Sequence, residues 1–448
     1  MDNNRGGRQA TAEEHEIELV KLLSLASMSE AIEAAPKWLN ESTGESSCCI
    51  FRIPQGFAGG YAEACRPQVV SIGPYHHGEP QLQMLEQHKW GCLRTMLDQT
   101  QPHSVSLKDL IDVVAPKEKM IRQCYFESTD NFSGSDLVKM MVLDGCFIIQ
   151  YLRQMAGGLR TNPPLRNSYV LESVMRDLLR LENQVPYFVL EDLFEMTDVP
   201  KGNFSLASLV FQFFNLIPEV FGKVQERRSN QKVVHLLDSF RLCFIPSDQK
   251  DIYLVDTSTS ESDFLIKSAC ELRRVGIGFK QREASTILEI KFDSKHRTIE
   301  IPKITIDGDL KWILSNMIAF EQCRGQEDGH VTAYAAFMGC LIHTADDVQL
   351  LRDRKVISNH GMSNEEVSHF FGDVCKGAAF DSNGCYLASH CVILNKSLKY
   401  EWAYLCCAQL RNAFHDNPWS ALSGLAVLVT LIGMIQTVYA VLQYYHPK

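Results

Sequence analysis

The sequence predicts a mainly α protein: a multi-helix globular body with a small β component, followed by one C-terminal transmembrane helix. Three observations carry this. Apolar residues recur at helical spacing through most of the chain. One pair of segments, Thr286 to Phe292 and Thr298 to Ile306, alternates apolar and polar residues around an Asp-Ser-Lys-His-Arg turn, the pattern of a hairpin over about 286–306. From Pro418 to Tyr445 there is no Asp, Glu, Lys or Arg.

Residues 1–45 read as a peripheral arm. A helix from Glu13 to about Ala34 carries Ile17, Val20, Leu23 and Leu25 among acids and leads through Pro36 into a Ser/Gly/Glu linker. The body spans 46–415 and opens with two short apolar runs, Cys48 to Pro54 and Gln68 to Tyr75, which suit brief strands or extended segments. Helices follow over Leu82 to Leu97 and over Leu107 to Tyr125, the latter interrupted by Pro116. Leu137 to Leu152 is apolar on nearly every face, so it is expected at the centre of the body. Tyr169 to Phe194 reads as helix, break at Val185-Pro186, and helix again, because proline cannot continue the preceding ladder. Two more apolar helices begin at Ser205 and His235, and a polar run over 246–263 marks an internal linker. In the hairpin, Pro302 is expected to push the second strand toward an edge. Helices resume at Leu310 to Cys323, Val331 to Thr344 and Asp346 to Asp353.

The uncharged tail, 418–445, predicts the membrane span. Its apolar centre, Ala421 to Leu442, is 22 residues by subtraction, and a helix of that length rises roughly 33 Å, about the thickness of bilayer hydrocarbon. Trp419 and Tyr439, Tyr444 and Tyr445 stand where aromatic rings favour the headgroup boundary. Lys396, Lys399 and Arg411 precede the segment and only Lys448 lies in the short tail 446–448, so the body is expected in the cytosol, anchored to plasma membrane or endomembrane. Ser423, Ala426, Thr430, Gly433, Thr437 and Ala440, with Gln436 beside them, form a stripe of small or hydroxyl side chains suited to helix self-association or to a partner helix. Cys406 and Cys407 are candidates for palmitoylation close to the membrane.

Composition narrows the function. A net charge of −10 without clustered Lys or Arg argues against nucleic acid as a partner. The N-terminus lacks the apolar core of a signal peptide. Fifteen cysteines at irregular spacing fit reduced, packed thiols, whereas Asn-x-Ser sequons at Asn40, Asn131, Asn203 and Asn395 would matter only in a lumen. His76, His77 and His88 could offer metal ligands, but no fourth lies at a recognisable spacing, so neither metal nor cofactor is expected.

Asp144, Glu182 and Glu321 are the informative acids, since each lies in a strongly apolar segment where an unpaired carboxylate is costly. With Asn183, Gln184 and Gln322 they are expected to build a structural polar network, with Arg122 and Arg153 as cationic partners. Paired carboxylates also serve general acid/base chemistry, which keeps a membrane-tethered hydrolase or transferase as the rival reading. Phosphate-loop, nucleophile-elbow and zinc-helix signatures are absent, so no catalytic residue is assigned and a non-enzyme is expected.

The ordered blocks Val69 to Gly78, Met140 to Ile148, Asp177 to Leu190, His235 to Asp238, Glu271 to Lys280, Asn316 to Cys323 and Asn417 to Leu442 resemble the plant family DUF247, also called UPF0481. The resemblance covers about residues 46 to 445. It implies a plant protein with a single C-terminal span and no assigned catalytic residues, acting by protein interaction in recognition or signalling. Some members in grasses look like self-incompatibility determinants. Arg180, where an apolar residue is usual, and Cys270, where Thr is usual, depart from the pattern without placing this chain in that branch.

Overall fold

The computed structural model describes residues 17, 19–21, 23–30, 48–53, 64–157, 168–198, 204–217, 232–245, 265–324, 329–375, 385–398, 429–430 and 432–437. The chain divides into two compact units. The first holds Met1–Pro218, Glu226–Cys243 and Ser315–Gly325; the second holds Glu219–Gln225, Phe244–Leu314 and Gln326–Lys448.

The first unit is built on helix α4 (Gly134–Met155), which begins where the Ser133 hydroxyl accepts the Asp136 N–H. From Leu137 to Leu152 every side chain except Lys139 is buried, as expected of a helix apolar on all sides. Each fully buried Leu, Ile or Phe there contributes roughly 1.5–3 kcal/mol. Around it pack α1 (Glu86–Thr100), α2 (Leu107–Val114), α3 (Glu118–Gln123), α6 (Tyr187–Thr197) and α7 (Leu206–Phe214). Gly145 permits the approach of α6, because a Cβ at that position would lie 2.4 Å from the Leu193 Cδ1 atom. Helix α2 starts with a Ser106–Asp109 capping box, and Pro116 converts the path to α3 into a 3-10 turn, Ala115–Lys117. Helix α5 (Ser168–Asp177) ends well before Pro186, and α6 starts directly after it. Helix α8 (Leu236–Leu242) is capped by His235.

The second unit opens with α9 (Ala269–Arg274), capped by Ser268 and Glu271. Strands β1 (Gly278–Arg282), β2 (Lys291–Asp293) and β3 (Thr298–Pro302) form a sheet in the order β1-β3-β2. Phe279 pairs Ile299 in parallel, and Phe292 pairs Ile299 antiparallel. The hairpin is therefore present but short. Its first strand starts only at Lys291 because the Glu289 carboxylate accepts the Ser285 and Thr286 N–H groups and turns the chain there. Strand β4 (Ile304–Ile306) pairs in parallel with β5 (Ile357–Asn359). Helix α10 (Gly308–Arg324) leaves the sheet, and its residues from Ser315 onward belong to the first unit. Helices α11 (His330–Leu341), α12 (Ala345–Asp353), α13 (Asn364–Val374) and α14 (Ala388–Leu398) complete the second unit, with Tyr334, Phe370 and Phe371 in edge contacts.

Two expectations are corrected. The C-terminal transmembrane helix is not supported: among the described residues no helix is long and apolar enough to cross a membrane. Of 418–445 the described residues are 429–430 and 432–437, which are helical and largely exposed. A span needs about 20 consecutive apolar helical residues, and no helix among the described residues supplies them. The fold class is mainly helical with small sheets. Pro302 lies in the central strand, not at an edge; it is the final residue of β3, where the ladder ends. Of the two alternatives for the runs after Cys48 and Gln68, brief strands or extended segments, the second holds: they are irregular, with one bridge, Ile50 to Tyr125. The linker expected over 246–263 lies outside the described residues.

Candidate functional site

An irregular segment, residues 64–79, crosses the first unit with its backbone held by side chains instead of by a sheet. The Asp177 carboxylate accepts the Gln68, Val69 and Val70 N–H groups at 2.7–3.0 Å. Asn183 Oδ1 accepts Ile72 N–H at 2.7 Å while its amide donates to the Val70 carbonyl at 3.1 Å. Asp144 Oδ2 accepts Gly73 N–H at 2.8 Å, and its other oxygen meets Lys89 Nζ at 2.7 Å. Lys89, fully buried, also donates to the Ser71 carbonyl and pairs with Glu86. The Tyr125 hydroxyl donates to the Gln184 carbonyl at 3.0 Å. Each bond answers a polar backbone group that burial would otherwise leave unpaired.

Glu182 accepts Ile53 N–H at 2.8 Å and holds His76 Nε2 at 2.8 Å, while Glu79 takes His76 Nδ1 at 2.7 Å. Around the third acid, Arg241 bridges Glu321 at 3.4 Å and Asp238 at 3.1 Å, with its guanidinium 5.6 Å from the Phe320 ring centre. His235 Nδ1 accepts Asp238 N–H and its Nε2 donates to the Cys49 carbonyl, so the ring is the neutral Nε2–H tautomer. Burial pushes the His235 imidazole down to about 4 despite the Asp238 charge. Burial raises the Asp144 and Asp177 carboxyls, against the pull of Lys89 and Arg180 respectively.

On another part of the first unit, α1, α2 and α4 leave a groove of about 710 Å³. It is floored by Leu93, Val138, Val142 and Leu143, with Trp90, Leu107 and Ile111 on its walls and Glu118 and Lys139 at its rim. Trp90, Leu107 and Ile111 remain 46, 42 and 40% exposed. The Lys139 ammonium lies 5.5 Å from the Trp90 ring centre, which holds the indole upright at the mouth. None of Asp144, Glu182 and Glu321 lines this groove.

A family model, DUF247, described as a plant protein of unknown function, matches residues 50–433. The chain belongs to that family. The UPF0481 protein At3g47200 of Arabidopsis thaliana is 37% identical over 435 residues, covering 92% of this chain and 90% of the relative. The putative UPF0481 protein At3g02645 of the same plant is 21% identical over 477 residues, covering 87% and 89%. No solved structure matches.

Within this DUF247 chain Asp144, Glu182, Glu321, Asn183 and Gln184 are buried and belong to the first unit, Glu321 through the end of α10 that lies beyond the divide expected at 246–263. Their partners differ. Arg122 pairs with Glu118 and donates to the Thr129 and Phe132 carbonyls, and Arg153 donates to Thr197. Lys89, His76 and Arg241 take the expected roles instead. Gln322, next to Glu321 on α10, is only half-buried. Asp177 and Arg180 were missed as a pair, although their i,i+3 spacing on either side of a helix end was visible; Arg180 also donates to the Ala64 carbonyl. Cys270, the other departure from the family pattern, is half-exposed, and its N–H donates to Asp347. Among the described residues no group of three His, Cys, Asp or Glu is placed to hold a metal ion. Thr430, Gly433, Gln436 and Thr437 are described, and the Thr437 hydroxyl donates to its own Gly433 carbonyl at 2.7 Å. Ser423, Ala426, Ala440, Cys406 and Cys407 lie outside the described residues.

Proposed function

We propose that this DUF247 protein acts by binding another protein, in recognition or signalling, and that the groove between α1, α2 and α4 receives an amphipathic helix of the partner. The groove is the observation that carries the reading. Its apolar floor, its half-exposed Trp90 and the Lys139 ammonium at its rim match an apolar helix face flanked by acidic side chains. The buried acids support the same reading, since their oxygens already hold backbone N–H groups, Lys89, His76 and Arg241. A carboxylate engaged in that way is a structural element before it is a proton carrier.

Proximity labelling in plant cells tests it, comparing the full chain with Trp90→Asp and Leu107→Asp variants expressed at equal level. The expected result is a protein labelled by the wild type and lost from both variants. An unchanged set of labelled proteins would overturn the groove as the binding surface.

A further inference from the structure

Two cysteines of the first unit stand side by side in a short backbone pairing. Ile50 and Tyr125 form a parallel bridge, with Ile50 N–H donating to the Cys124 carbonyl at 2.8 Å and Phe126 N–H to the Ile50 carbonyl at 2.9 Å. That register sets Cys49 opposite Cys124, and Cys49 N–H donates to the same Cys124 carbonyl at 3.0 Å. Paired strands run about 4.8 Å apart, and disulfides need Cα atoms within about 4.4–6.8 Å, so the backbone already has bridging geometry. The Cys124 thiol donates to the Met120 carbonyl at 3.3 Å, and each thiol's ionisation responds to the other. Both are free, and their residues are 3 and 5% exposed.

We propose that Cys49 and Cys124 form a redox-responsive pair that closes to a disulfide when a small hydroperoxide reaches it. The nucleophile is Cys124: the neighbouring Cys49 thiol and the Lys232 ammonium favour its thiolate and lower its pKa, whereas the Cys49 thiol is raised. The Cys124 thiolate attacks one peroxide oxygen, the O–O bond breaks, and a sulfenic acid forms as hydroxide or alkoxide leaves. The Cys49 sulfur, losing its proton, then attacks the Cys124 sulfur; the S–S bond forms and the displaced hydroxide takes that proton as water. Two thiols lose two electrons and the peroxide gains them. The new bond would tie the start of the body to the end of α3, on the far side of the groove helices α1 and α2 in sequence.

The test is peptide mass spectrometry on the folded full-length protein treated with hydrogen peroxide and then blocked with a thiol reagent. The expected product is the Cys49–Cys124 linked peptide pair, a loss of about 2 Da reversed by dithiothreitol. In a Cys49→Ser variant the Cys124 sulfenic acid should persist and be captured by dimedone. Cys48 and Cys323 sit close enough to interact with this cluster and supply the competing outcome. A Cys48–Cys323 link, or peroxide-treated protein in which Cys49 and Cys124 both stay reduced, would overturn the proposal, and neither observation requires a variant to fold.

Discussion

Lowering the pH from 7.5 to 5.0 titrates His235 in the unfolded chain but not in the folded one. The ordinary imidazole pKa is 6.5, and burial depresses it to about 4 in the first unit. A depressed base contributes stability that is complete above pH 6.5 and is lost as the pH falls toward 4, since the unfolded state binds the proton first. From those two values, protonation of the unfolded imidazole removes about 2 kcal/mol by pH 5.0 and about 3 kcal/mol by pH 4. Many other groups titrate over this range, so the useful quantity is the difference between wild type and His235→Asn. Asparagine retains an N-cap acceptor for Asp238 N–H but carries no ionisable group. Because the chain has two units, the readout must be local: urea-dependent amide exchange of peptides covering α8, corrected for the intrinsic rate at each pH. The variant should be less stable at pH 7.5, where it loses the donor to the Cys49 carbonyl, and the gap should close by about 2 kcal/mol at pH 5.0. A gap that stays constant between the two pH values would refute a buried neutral His235.

Replacing Lys89 with Met should cost about 3–5 kcal/mol, because Asp144 is left as a buried carboxylate without its ammonium. Adding Asp144→Leu should recover part of that loss, and a double-mutant cycle from urea unfolding of the first unit measures the coupling, expected at about 1 kcal/mol or more. Gly73→Ala should cost at least about 2 kcal/mol, since φ is +72° and the new Cβ would lie 2.6 Å from the Gln184 carbonyl oxygen; a thermal midpoint within a degree of wild type would contradict this.

The helices were legible because their cause is local. Apolar periodicity, Pro116, Pro186 and the Ser106 cap each act within one or two turns, and α4 was recognisable as central from its composition alone. The buried acids were legible for a related reason, an acid inside an apolar run being conspicuous. Their partners were not. Glu182 reaches Ile53 across 129 positions and Asp177 reaches Val70 across 107, separations at which a single sequence carries no pairing information. Lys89 follows Glu86 and His88 in a stretch rich in polar residues, so nothing in its neighbourhood marks it as fully buried. The tail was read from composition alone, and among the described residues no helix is long and apolar enough to bear that reading out.

The blocks that carry the family resemblance and the side chains that hold residues 64–79 are largely the same residues. His76 lies in the first block, Asp144 in the second, Asp177, Glu182 and Asn183 in the third, and Asn316 in the block on α10, while His235, Asp238 and Glu321 of the Arg241 cluster lie in the fourth block and on α10. Asn316 joins the set by accepting Leu181 N–H at 2.8 Å and donating to the Ala64 carbonyl at 3.0 Å. Such a network is demanding, because each member must be satisfied or the desolvation cost stands unopposed. The blocks therefore identify a way of folding an irregular segment, and an activity need not follow from them. The groove is different. Of its lining, Val142 and Leu143 fall inside a block, whereas Trp90, Leu93, Leu107, Ile111, Val138 and Lys139 do not. Substitutions on its walls are free to alter shape and charge without unpairing a buried group, so under the proposed binding role partner choice could change there while the network keeps the first unit folded.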